Sequence, residues 1–240
     1  MVTTLYLIRH GETEGGEIRR YKGTIDVPLS EKGLRQMKHV SKYIAELVQN
    51  SSTFNSSKQK SNPPCPPLKS SSAPLLQRGV WGDSGGLLSA VYCSDLSRAI
   101  KSAEIIAEPH SLDPIVGPAL RERNFGIWEG MSFDEIKEKY PYEFDAWASN
   151  PLKFSPMGGE STSEVRDRVI QILDRILNDH DGENIVIVSH GGVNRIILCH
   201  FLRISLENIF RIEQDYGALN IIEFSDKYPV VKLVNGVING

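Results

Sequence analysis

Apolar residues along the chain fall into two patterns, short unbroken runs and longer stretches with helical spacing. Leu5-Tyr6-Leu7-Ile8, Ala90-Val91-Tyr92-Cys93 and Ile185-Val186-Ile187-Val188 are unbroken runs. They are too short for helices and read as strands covered on both faces. The first extends over about Thr3 to Arg9. Ile115-Val116 reads as an edge strand, and Leu219 to Phe224 and Val230 to Val234 as two late strands. Between them, Leu34, Met37, Val40, Ile44 and Leu47 recur at helical spacing after Ser30, a good N-cap, and the helix fades near Gln49. Leu96 to Ile106, Asp134 to Ala148 with a break near Pro141, Ser161 to Asn178, and Val193 to Leu202 read as further helices. Val165, Val169, Ile172, Leu173 and Ile176 make the clearest stripe. Strands alternating with helices imply a mostly parallel central sheet in a three-layer αβα sandwich. Ligands of such folds bind beyond the carboxyl ends of the strands.

The stretch from Ser51 to Ser89 has neither pattern. It holds ten serines, five prolines and four glycines in 39 residues, including Asn62-Pro63-Pro64-Cys65-Pro66-Pro67. No helix interior or central strand tolerates that composition. It reads as a disordered insertion in one domain of 240 residues, dispensable for chemistry, with a lid or a partner-binding segment as the alternatives.

The formal net charge of -3 gives no basic excess for nucleic acid. Cys65, Cys93 and Cys199 are odd in number and lack metal-ligand spacing, which suits a reducing compartment. A strand begins almost at Met1 and no run approaches transmembrane length. A cytoplasmic protein without secretion signal or membrane partner is the expectation, with a homodimer left open beside a monomer.

Two strand ends carry the candidate chemistry. Arg9-His10 follows the first strand without a spacer, and His190 follows Ser189 at the end of a later one. A cation and imidazoles at buried strand ends are costly unless an anion uses them. Phosphoryl transfer needs cations around the equatorial oxygens, an in-line nucleophile and a proton donor. Arg9 and Arg98 can supply the cations, a histidine the nucleophile and Glu122 the acid. There is no Walker A loop, no dinucleotide glycine fingerprint and no His-Glu-x-x-His pattern. His39, His110, His180 and His200 read as surface or helix residues, and Glu129 as structural. Glu12 reads as orienting the arginines or histidines of the site.

Arg9-His10-Gly11-Glu12-Thr13 resembles the opening signature of the histidine phosphatase, or phosphoglycerate mutase-like, superfamily. The resemblance continues through Pro28 to Gly33, Ser94 to Ala99, Leu120-Arg121-Glu122, Phe125 to Gly130, Gly159-Glu160-Ser161 and Val188 to Gly192. It implies His10 as phosphate-accepting nucleophile, with Arg9, Arg98 and His190 holding the phosphoryl group. It implies Glu122 as donor to the leaving oxygen and then base for water, with no metal and no other cofactor. An asparagine that many members carry near Gly16 is absent. Gly15-Gly16 with Arg19 to Gly23, and Arg211 to Asn220, is similar to the alpha-ribazole phosphatases of cobalamin nucleotide-loop assembly. That implies a small phosphomonoester substrate, alpha-ribazole 5'-phosphate or adenosylcobalamin 5'-phosphate. A broad-specificity phosphatase, a mutase and a noncatalytic phosphate-binding module are the alternatives. Lys22 is a possible contact to substrate. Tyr216 can either stack on a base or pack in the core.

Overall fold

The computed structural model describes residues 2–16, 20–53, 87–225 and 228–238. The chain runs β1 (Thr3–Arg9), α1 (Glu31–Thr53), β2 (Leu88–Cys93), α2 (Ser97–Ala107), β3 (Ile115–Val116), α3 (Phe133–Lys139), α4 (Pro141–Ser149), α5 (Thr162–Asp179), β4 (Asn184–Ser189), α6 (Gly191–Leu202), β5 (Leu219–Phe224) and β6 (Pro229–Gly236). The sheet order is β3-β2-β4-β1-β5-β6. The first four are mutually parallel, while β5 runs antiparallel to β1 and β6 to β5.

Burial on both faces explains the unbroken apolar runs. Leu5 and Leu7 of β1 point into a core with Val165, Val169, Leu173 and Ile176 of α5 and with α6. Tyr6 and Ile8 point the other way, onto Met37, Val40 and Ile44 of α1 and Ala99, Ala103 and Ile106 of α2. This is the αβα sandwich expected, with residue i and i+1 of each central strand serving opposite layers. Ser30 caps α1 by accepting from the Gly33 N–H at 3.1 Å. Ser161 caps α5 in a reciprocal arrangement with Glu164. Burial pushes the Cys93 thiol up to about 12, as suits a thiol acting as a small core hydrophobe.

The ends of the Ser/Pro-rich stretch need correction. Helix α1 continues to Thr53 and β2 begins at Leu88, so 51–53 and Leu88-Ser89 belong to regular elements. Leu88 is buried against the α1–α2 face, a contact its neighbouring glycines concealed in the sequence. The remainder of the insertion, 54–86, lies outside the described residues.

The loop after β1 reaches the site by crossing tightly over the start of α1. A Cβ placed on Gly33 would sit on the main-chain oxygen and nitrogen of Glu12. Backbone cannot yield as a side-chain tip does. Gly33→Ala is therefore expected to cost about 2 kcal/mol, within the usual range for overpacking, despite alanine's better helix propensity. Urea unfolding of the two proteins measures it; equal midpoints would show that the crossing relaxes freely.

Candidate active site

The parallel register that pairs Arg9 with Ser189 places the next residues, His10 and His190, side by side. Their ring centroids are 5.0 Å apart. The pairing of Cys93 with Val188 brings Ser94 alongside. Arg98 lies in the first turn of α2, and Glu122 in the loop that follows β3. Arg9, His10, Lys22, Arg98, Glu122, His190 and Tyr216 line one cleft, and Glu12 is not among its lining residues. Its volume is about 230 Å³. By a measure in which one water needs roughly 10–15 Å³, the cleft holds an organic group as well as a phosphate.

His10 and His190 are only 5 % and 1 % exposed. Burial, with Arg9 and Arg98 close by, holds the His10 imidazole well below its usual value. Burial also lowers His190, reinforced by His10, Arg98 and Arg9. Both rings are thus neutral near pH 7. His10 Nδ1 lies 2.7 Å from the carbonyl oxygen of Gly11, which can only accept. The ring's single proton therefore sits on Nδ1, and Nε2 keeps its lone pair.

The arginines are held by main-chain oxygens. Arg9 Nη1 donates to Gln214 O at 2.6 Å, and its guanidinium lies 3.8 Å over the Tyr216 ring. Gln214 is fixed by a buried amide network, exchanging hydrogen bonds with Asn220 at 2.8 and 2.9 Å and accepting from Asn194 at 3.2 Å. Arg98 donates to Ile25 O at 2.8 Å and Gly23 O at 2.7 Å. That leaves N–H groups on each fork for an anion. Tyr216 thus serves Arg9 and lines the cleft instead of filling a core. Lys22 Nζ donates to Thr13 Oγ1 and Glu14 O, each at 2.7 Å, so it braces the loop after β1 as well as facing the cleft.

Glu122 sits against the N-terminus of α6. Its Oε2 accepts from Gly192 N–H at 3.0 Å, and its Oε1 from Arg123 N–H at 2.9 Å. Glycine at 192 is what permits this approach, since a Cβ there would collide with the carboxylate. Two residues that the sequence reading passed over hold the loop from behind. Arg168 donates to the oxygens of Ala119, Arg121 and Glu122 at 2.8, 2.8 and 3.2 Å. It is itself gripped in bidentate fashion by Glu160 at 2.8 and 2.9 Å. Glu160 stood in the sequence within Gly159-Glu160-Ser161, but its partner eight residues on had no local signal. Arg20, Tyr21, Phe125, Trp128, Trp147, Arg195 and Phe210 also line the cleft and were not foreseen as lining it.

Glu12 departs from its expected role. It receives Lys32 Nζ at 2.7 Å and touches neither the arginines nor the histidines of the site by hydrogen bond. Glu129 is structural as expected, accepting from Thr24 N–H at 2.7 Å and Phe125 N–H at 3.2 Å. Among the described residues, no group of three or more His, Cys, Asp or Glu side chains is arranged to hold a metal ion. No helix among them is long and apolar enough to cross a membrane.

The sheet carries His10 and His190 at neighbouring strand ends, with Arg9 and Arg98 lining the same cleft, and sequence comparison gives the family. Residues 5–60 and 84–236 match the histidine phosphatase superfamily (branch 1), and the chain belongs to it. It is an enzyme of the phosphohistidine-type phosphatases. It is 28 % identical over 231 residues to phosphoserine phosphatase 1 of Hydrogenobacter thermophilus, covering 96 % of this chain and 91 % of that one. It is 24 % identical to the adenosylcobalamin/alpha-ribazole phosphatase of Salmonella typhimurium, over 96 % of this chain and 95 % of the relative. The fold is shared with the alpha-ribazole phosphatase structure from Shigella flexneri, with a TM-score of 0.73, 23 % identity, and coverage of 99 % and 98 %.

Proposed function

We propose that the chain hydrolyses alpha-ribazole 5'-phosphate, or the adenosylcobalamin 5'-phosphate made from it, through a phosphohistidine on His10. The observation that carries the chemical step is the His10 Nδ1 contact to Gly11 O, which leaves Nε2 free to attack. In the first step Nε2 takes the phosphoryl group in line with the departing ester oxygen, and Glu122 gives that oxygen a proton. In the second, Glu122 takes a proton from water as the water oxygen attacks phosphorus and the P–N bond breaks. Arg9, Arg98 and His190 hold the three equatorial oxygens throughout, where charge accumulates.

The substrate reading rests on where the resembling segments fall. Arg20 to Gly23 and Tyr216 are cleft-lining residues. Tyr21, Phe125, Trp147 and Phe210 give the outer cleft an aromatic wall suited to a flat base. The Salmonella relative acts on that substrate class by name. The Hydrogenobacter relative favours a second reading, phosphoserine. A panel of alpha-ribazole 5'-phosphate, O-phosphoserine, 3-phosphoglycerate and p-nitrophenyl phosphate separates them. The expected kcat/KM for alpha-ribazole 5'-phosphate exceeds that for phosphoserine by roughly ten-fold or more, the selectivity one aromatic contact provides. A reversed order assigns phosphoserine. Migration of phosphate within 3-phosphoglycerate assigns a mutase, and no turnover of any of the four assigns a binding module.

A further inference from the structure

His190 has a neighbour that the proposed mechanism does not use. Ser94, fully buried at the end of β2, places its Oγ 2.7 Å from His190 Nε2. The same Oγ accepts from the Leu96 N–H at 3.5 Å. The other ring nitrogen of His190, Nδ1, is buried without a protein partner. We propose that Ser94 is a positioning residue that fixes the proton of neutral His190 on Nδ1, so that His190 offers an N–H to a phosphoryl oxygen.

The argument is an accounting of buried donors. The Ser94 hydroxyl proton has one acceptor within reach among the described groups, His190 Nε2. If the ring proton sat on Nε2, it would point at Ser94 Oγ and leave the serine O–H without an acceptor. Nδ1 would then present a lone pair, which repels an anionic oxygen. With the proton on Nδ1, the serine bond is made and a single donor stays unpaired until a phosphoryl group arrives. Leaving a buried donor and a buried acceptor both unpaired is costlier than leaving one donor. Beside burial, His10, Arg98, Arg9 and Arg168 act electrostatically on His190. They disfavour a second proton on the ring, so placement of the single proton matters.

The result is a division of labour between two rings of the same tautomer. Both carry hydrogen on Nδ1. His10 buries that hydrogen in Gly11 O and presents a lone pair for attack. His190 gives its Nε2 to Ser94 and presents the hydrogen.

The inference rests on reading His190 as a phosphoryl ligand, and the test separates the two. Imidazole 15N spectra of the full chain, with the His190 signals assigned by their loss in His190→Gln, read the tautomer directly. Wild type is expected to show hydrogen on Nδ1 and a bare Nε2. Ser94→Ala is expected to give a mixture, with kcat on p-nitrophenyl phosphate lowered roughly ten-fold or more. KM and the melting temperature should change little, and Ser94→Thr, which keeps the hydroxyl, should restore the wild-type spectrum. Hydrogen on Nε2 in wild type overturns the proposal regardless of how the variants fold. So does a Ser94→Ala spectrum unchanged from wild type, whatever its activity. A protein that shows the expected tautomers but never labels on His10 would retain the Ser94 contact and lose the phosphohistidine reading.

Discussion

His10→Ala is expected to abolish turnover and phosphoenzyme formation together, with a fall in kcat on the order of 10⁴-fold or more. His10 Nε2 is the lone pair left open when Nδ1 is tied to Gly11 O at 2.7 Å, whereas His190 Nδ1 bears the hydrogen in the proposed tautomer. His190 Nε2 is occupied by Ser94 at 2.7 Å. Rapid-quench labelling with 32P substrate checks this on wild type and variant. An equally labelled variant would move the nucleophile to His190. The pH dependence follows from the same geometry. His10 is held well below the usual imidazole value by burial and by Arg9 and Arg98. The acid limb of kcat/KM should therefore lie below the ordinary imidazole pKa of about 6.5. Stability has the matching sign. Below about 6.5 the unfolded chain protonates its histidines while His10 and His190 stay neutral in the fold. The unfolded state then binds more protons, so stability falls as pH drops through that value. Unfolding midpoints between pH 7 and 5 should fall less in a variant lacking His10, after allowance for its different baseline.

The second large effect is at Glu122. Glu122→Gln keeps the shape and can still accept from Gly192 N–H, but carries no transferable proton. The expected loss is roughly 10²–10³-fold for alkyl phosphates, within the ordinary range for a general acid. For p-nitrophenyl phosphate, whose leaving group needs little proton help, it should be under about ten-fold. A uniform loss on both esters would make Glu122 a binding group and not an acid. Gly192→Ala offers a steric route to the same result, because its Cβ meets the Glu122 carboxylate. It should show the same dependence on leaving group while the residues of the phosphoryl cage remain intact.

The periodicity of the chain was enough to place the strands, the helices and the layering. A central strand buried on both faces must be apolar at every position, and a helix covering it must be apolar on one stripe. Both requirements are local and visible, as in β1, β4 and α5. His10 and His190 were legible for a related reason. Arg9-His10-Gly11-Glu12-Thr13 and Val188 to Gly192 are contiguous motifs, and the ends of two parallel strands converge where ligands of such sheets bind. The end of α1 and the start of β2 were misjudged because serine and glycine, weak formers of helix and strand, mask element ends in a sequence. Leu88 is ordered by packing on α1 and α2, which no window of sequence contains.

Tertiary structure alone decided the proton positions, the loop supports and the fate of each charge. Lys22, Glu12 and Arg168 look alike in sequence, as charged residues in polar settings. One braces a loop at the cleft, one pairs with Lys32, and one holds three carbonyl oxygens behind Glu122. The tautomers of His10 and His190 likewise depend on which oxygen stands opposite each nitrogen. Burial is set by residue type and spacing, which a sequence displays. Hydrogen bonding is set by the direction and distance of groups up to some two hundred residues apart, and only the assembled fold fixes those.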